Sequence, residues 1–292
     1  MRKLFVFVLA CFIAISAFGQ SNIAGTVEWD NMRINAQVTL DLASAGVRLP
    51  AGRTHGEALL NGAYLNLIRP SLLALQVDSS TTIGDLVNRG ELSLSEIQTL
   101  AAGANSVAPS LSPDMRSITA SHTISLVNIS SRLIRHRNPA PVTRTLSPVS
   151  SAQYTGIIII AAENLPVHGM MGTAMPVPCL FPKLWDTEMN LIYERNTLET
   201  SSTTMVRYSG TQGIFQNNNP SGLSPELQEV VGVRPLRIFA RGVYGVMPTD
   251  LIIDRSDALL IISSEENRRL LSQGRVAIIL DDSVLRKTFN AE

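Results

Sequence analysis

The chain has 292 residues, with 24 basic and 24 acidic side chains, 45% hydrophobic residues and only 16% charged ones. That length holds two domains with cores of their own. The balanced charge gives no net attraction to phosphates, which argues against nucleic acid as a partner.

Residues 1–19 read as a signal peptide. Arg2 and Lys3 form the basic start, residues 4–17 the apolar stretch, and Ala17-Phe18-Gly19 puts small residues where a signal peptidase reads. Cleavage is expected between Gly19 and Gln20. The stretch falls short of the ~20 apolar residues of a spanning helix, so no transmembrane helix is expected once it is removed. A competing feature is Val8-Leu9-Ala10-Cys11, a lipobox that would lipidate Cys11. Either route exports the protein, to the periplasm or the outer-membrane periphery. Loss of Arg2 and Lys3 leaves 22 basic against 24 acidic side chains, net −2. Cys179 is then the sole cysteine and cannot form an internal disulfide. Between Pro178 and Leu180 it reads as a small buried residue. A nucleophilic cysteine would want a nearby histidine, and only His168 is close in sequence.

The composition and element order predict an α+β protein of two domains, each a small sheet packed with a few helices. The first domain spans residues 20–137. Ile34, Ala36, Val38 and Leu40 alternate with polar residues, which is a strand with one wet face. Asp30-Asn31 before it is a turn pair, so a hairpin is expected. Thr54 and Glu57 have capping-box spacing ahead of Leu59, Leu60, Ala63, Tyr64, Leu67 and Ile68, spaced as one helical stripe. Pro70 should bend or end that helix. Gly62 inside it suggests close approach of another element. Residues 78–82 supply capping oxygens for a helix from Ile83, and Ser93 with Glu96 caps the next, which Gly103 stops. Alternation returns from Ile118 and predicts a long strand to Ile129.

This order, with its junction at Val77, Asp78, Ser79, Thr81, Thr82 and Ile83, resembles the exported domain of envelope lipoproteins. It is equally similar to flagellar outer-ring accessory proteins of the FlgT and FlgP kind. The resemblance covers residues 23–134 and implies an envelope or flagellar protein as partner. For Asp78 and the Ser/Thr run, helix capping outweighs an anion site, because a carboxylate there repels anions.

Residues 138–153 carry several prolines and read as a semi-extended linker. Arg132, Arg135, His136 and Arg137 just before it form a basic patch. It is either a solvated strand end or a contact for anionic groups. The second domain spans residues 154–292. Residues 155–160 are a buried strand. Residues 165–182 form a loop rich in Met, Pro and Gly, whose Met170, Met171 and Met175 suit an adaptable contact surface. His168 with these methionines lacks the tight repeat of a copper site, so no metal or cofactor is expected. Residues 184–193 read as two short strands around a polar turn, and residues 197–225 as a long exposed loop. Residues 235–280 give strand, loop, short strand, helix and strand. YTGIIIIAAENL, PKLWDTEMNLIY, RPLRIFA and GRVAIILDD together resemble a block found in uncharacterised exported bacterial proteins. It departs from that block at Ala161 and Glu163.

Asp250, Asp254, Asp257, Asp281 and Asp282 are the candidate catalytic carboxylates. Their structural alternative is helix capping and strand ends. No GxSxG, HExxH or P-loop motif occurs. The leading expectation is therefore a non-enzymatic envelope accessory or assembly protein, able to form oligomers. The alternatives are an envelope hydrolase or carbohydrate-binding protein using residues 250–282, and a ligand-binding module using the methionine loop.

Overall fold

A computed structural model describes residues 21–146, 148–216 and 219–291. The expected signal peptide, Cys11 and the Gly19–Gln20 cleavage point lie outside these residues. The architecture is α+β in two lobes.

The first lobe opens with β1 (Ser21–Glu28) and β2 (Arg33–Asp41), the expected hairpin. Ile34, Ala36, Val38 and Leu40 are all buried, so the alternation sets the inner face. Helix α1 (Arg53–Leu73) packs Leu60, Tyr64, Ile68 and Leu72 onto it. Three expectations for this helix are corrected. Its N-cap is Gly52, without a side-chain cap, so Thr54 lies in the first turn and Glu57 pairs instead with Arg53. The helix runs through Pro70 to Leu73. Gly62 faces open space, and the glycine in close contact is Gly56, against Ile118 and Leu42.

Helices α2 (Ile83–Asn88) and α3 (Leu94–Ala102) begin with full capping boxes, Thr82 with Asp85 and Ser93 with Glu96. Gly103 ends α3. Strand β3 (Asn105–Leu111) was not legible in the sequence. It pairs with β4 (Ser117–Ser125). The long strand expected to reach Ile129 stops at Ser125, whose hydroxyl caps α4 (Leu126–Leu133).

The linker, as far as described, runs along the second lobe. The Ala140 amide donates to the Asn196 carbonyl, and the Val149 amide to the Ser263 hydroxyl.

The second lobe starts with β5 (Ile157–Ile160), then the small pair β6 (Leu165–Pro166) and β7 (Thr173–Ala174). Strands β8 (Leu184–Asp186) and β9 (Leu191–Tyr193) flank the expected polar turn. Residues 197–225 are not an exposed loop. They contain β10 (Arg207–Ser209) and bury Leu198, Met205, Val206, Tyr208, Ile214 and Leu223. Asn217 and Asn218 of that stretch lie outside the described residues. Helix α5 (Pro225–Val231) precedes β11 (Leu236–Tyr244) and β12 (Asp250–Ile253). Helices α6 (Arg255–Ile262) and α7 (Glu265–Ser272) lead to β13 (Val276–Ile279), a short α8 (Asp282–Leu285) and β14 (Arg286–Ala291). The mixed sheet runs β10-β13-β5-β11-β12-β8-β9, with β11 at its centre. The four isoleucines of β5 pair in parallel with β11 and β13.

Strand β14 does not join this sheet. It crosses back and pairs antiparallel with β1, giving the first sheet the order β14-β1-β2-β4-β3. The expected boundary at residues 154–292 is corrected accordingly, since Arg286–Ala291 belongs to the first sheet. A slot accepts it: a Cβ on Gly25 would come within 2.4 Å of the Phe289 ring, so only glycine fits beneath that side chain.

One continuous apolar core runs from Ile23 in the first lobe to Leu285 in the second. The lobes also exchange backbone bonds. Leu180 donates to the Gln76 carbonyl, Phe181 to Val77, and Met247 to Ser79. Trp29 meets Tyr208 edge-on at 5.9 Å.

Candidate functional site

The carboxylates singled out in the sequence do different jobs in different places. Asp250 opens β12 and is 1% exposed. Its oxygens accept bonds from the Lys183 amide at 3.1 Å, the Ser79 hydroxyl at 3.2 Å, Thr249 at 3.3 Å and the Trp185 indole N–H at 3.4 Å. Ser79 comes from the junction read as helix-capping chemistry, so that junction also reaches across to the second lobe. Gly245, at φ +109°, lets the chain pass against Ser79, where a Cβ would sit 2.4 Å away. Burial pushes the Asp250 carboxyl above its ordinary range, and the hydrogen bonds from Lys183, Trp185 and Ser79 hold it back.

Asp254 is the N-cap residue of α6, but its carboxylate pairs with Arg241 at 2.7 Å instead of capping. Asp257 lies in the first turn of that helix, and burial with the nearby Asp254 raises its pKa. Asp281 caps α8, accepting from the Ser283 amide at 2.9 Å. Asp282 packs on Gly210. Asp254 and Asp281 follow β12 and β13, which are separated in the sheet by β11 and β5. Three strand spacings put them roughly 14 Å apart, wider than the ~5–9.5 Å of a glycosidase pair. Among the described residues, no group of three His, Cys, Asp or Glu side chains is placed to hold a metal.

An ion pair that the sequence did not single out ties the buried Asp186, at the β8–β9 turn, to Arg255 of α6. Asp186 accepts from the Glu188 and Asn190 amides and the Asn190 side chain, and pairs with Arg255. Burial alone would raise its pKa, but these bonds outweigh burial and lower it. Cys179 is fully buried, and burial pushes its thiol well up, so it is not a nucleophile. Its amide and carbonyl both bond the Tyr208 hydroxyl.

The expected contact residues fall into two places. In the basic group, Arg135 is held by Glu96 at 3.0 Å and by the Glu91 carbonyl. His136 bonds the Leu198 carbonyl at 2.6 Å. Arg132 and Arg137 are exposed. In the methionine loop, Met170 and Met171 sit at the tip of the β6–β7 hairpin, 72% and 105% exposed, while Met175 is half-buried. That hairpin lies along β11 through the Val167–Val243 bridge and the bond from the His168 amide to the Val243 carbonyl. Val246, just past the end of β11, is 85% exposed.

Sequence reasoning missed the aromatic chain beneath this tip. Tyr244 meets His168 and Trp185 edge-on, each at 5.8 Å. Phe239 and Tyr244 lie on the exposed face of β11, with Arg237 and Arg241 between buried neighbours. The period-two pattern of residues 236–241 was the available signal. The result is a surface of Met, Val, Phe and Tyr beside two arginines.

Two comparisons bear on this architecture. Residues 20–132 match the family model of the N-terminal domain of Treponema pallidum Tp0624, and residues 156–282 match that of its second domain. The chain is similar to Tp0624 over two consecutive domains. No curated protein matches it. The Tp0624-like stretches end before β14, so the strand that closes the first sheet lies beyond both. No described helix is long and apolar enough to cross a membrane.

Proposed function

We propose that this is a non-enzymatic, exported accessory protein of the cell envelope that works by holding another envelope or flagellar protein. The observation that carries the reading is the exposure of Met170 and Met171 on a hairpin that lies along β11, together with exposed Phe239, Tyr244 and Val246 on and just past that strand. Flexible thioethers above fixed aromatic rings fit protein contacts, where methionine, aromatic residues and arginine concentrate. Arg237 and Arg241 flank it and favour a partner with acidic residues at the rim. Export is supported by the leader-like residues 1–19, and the envelope setting by the junction at residues 77–83.

The test is a photo-reactive residue placed at Val246 in the native cell, followed by mass spectrometry of the envelope fraction. A cross-link to one envelope or flagellar protein, lost when Met170 and Met171 become Asp, is the expected result. A protein free in the periplasm with no reproducible partner overturns the reading. Activity on wall fragments that vanishes in Asp254→Asn or Asp281→Asn would instead make it a hydrolase.

A further inference from the structure

Strand β14 is the outer strand of the first sheet, and its free edge has a definite chemistry. The Trp29 amide donates to the Leu285 carbonyl at 2.9 Å, just before the paired residues Glu28 and Arg286. In an antiparallel ladder, facing residues alternate between pairs that bond each other and pairs that turn away. Lys287 and Phe289 therefore point their backbone groups at β1. Arg286, Thr288 and Asn290 point theirs outward, and among the described residues no backbone partner meets them.

A cleft of about 340 Å³ runs beside this edge. Its apolar lining includes Val27, Trp29, Leu75, Val177, Pro178 and Phe289. Lys287 is opposite Val27 in the register and therefore lies on the cleft side of the strand. Among the described residues, the only charged side chains lining the cleft are Arg286 and Lys287. Arg286 is tied to Asp30 at 3.1 Å, whereas Lys287 has no partner among the described residues.

We propose that this edge and its cleft take an extended, acidic segment of a partner protein, which adds to the first sheet alongside β14. Its main chain bonds the outward groups of Arg286, Thr288 and Asn290. An apolar side chain enters the cleft over Val27 and Phe289, and a carboxylate two residues along, on the same face of the added strand, meets Lys287. This is strand addition at a sheet edge, in which backbone bonds give affinity and the side-chain pocket gives selectivity. The proposal stands apart from the methionine surface, so either can fail alone.

The test uses the full chain and two short labelled peptides, one repeating Val-Thr-Glu-Thr and one repeating Val-Thr-Lys-Thr, so that Val and the charged residue share a face. The acidic peptide should bind saturably, and the basic one about tenfold more weakly or not at all. At saturation, amide exchange at Arg286, Thr288 and Asn290 should slow by about tenfold or more. Lys287→Glu should weaken the acidic peptide by about tenfold with an unchanged melting temperature. Thr288→Pro removes an outward N–H while leaving the bonds to β1, and should abolish binding. Equal binding of both peptides, binding without protection of these amides, or no binding overturns the proposal. So does concentration-dependent protection of the same amides by the chain alone, which would assign the edge to a second copy.

Discussion

Asp250 and Asp186 are both buried carboxylates, yet they pull stability in opposite directions with pH. The folded pKa of Asp186 is lowered, so its contribution is present above the unfolded carboxylate value near ~3.9 and is lost as pH falls through the folded value. The folded pKa of Asp250 is raised, so its protonated form favours folding at low pH, and that contribution is lost as pH rises through the folded value. Asp186→Asn should therefore flatten the acid side of a stability-versus-pH curve, measured by urea midpoints. Asp250→Ala would strand the Lys183 amide and the Trp185 indole N–H at the lobe interface. Its expected cost is about 3 kcal/mol, read as a lower denaturant midpoint at neutral pH. His122 belongs with these groups. It stacks on Tyr64 at 3.7 Å, its Nε2 is buried without a partner among the described residues, and burial lowers its pKa. The unfolded chain binds this proton more readily, so stability should drop as pH falls below ~6.5, and His122→Phe should remove that drop.

At the level of elements, the sequence was most readable where local chemistry and tertiary placement agree. Thr82, Ser93 and Gly103 mark helix ends by hydrogen bonds made within a few residues, and all three do so here. The β2 alternation was legible because one face meets solvent and the other meets α1. Reading failed where one residue serves two periods. Ile124 and Leu126 continue the alternation of β4, but Ser125 between them caps α4, and Leu126, Ile129 and Leu133 are then the buried stripe of a helix. Residues 197–225 look polar because their buried residues are spread among Ser, Thr and Asn. The candidate surface was half legible: Met170 and Met171 were named, while the rings under them meet only through the hairpin's register with β11. Strand β14, with the sequence RKTFNA, offers one apolar residue before its last position, so no periodicity announces it. Its fit depends on the slot at Gly25. Gly25→Val should expel Phe289 and loosen β14, with amide exchange rising at Lys287 and Phe289 and a loss of about 2 kcal/mol.

Taken whole, the molecule has two lobes joined by one core, with a smaller apolar cluster around Ile158, Leu223 and Ala277 in the second lobe. The Trp29–Tyr208 contact, the bonds from Leu180 and Phe181 to the first lobe, and the Asp250 network all cross the junction. Fluorescence of Trp29 and Trp185, one on each lobe, should therefore report a single coincident denaturation transition. Two separated transitions would mean that the lobes unfold independently.

The return of β14 to β1 sets an order of events in time. A ribosome emits Ser21–Glu28 early and Arg286–Ala291 late. Until the later strand arrives, β1 waits as an open border with the Gly25 slot empty, a state that invites pairing with the wrong neighbour. A chain cut off during synthesis just before Arg286 would carry both stretches that resemble Tp0624 and still leave its first sheet unfinished.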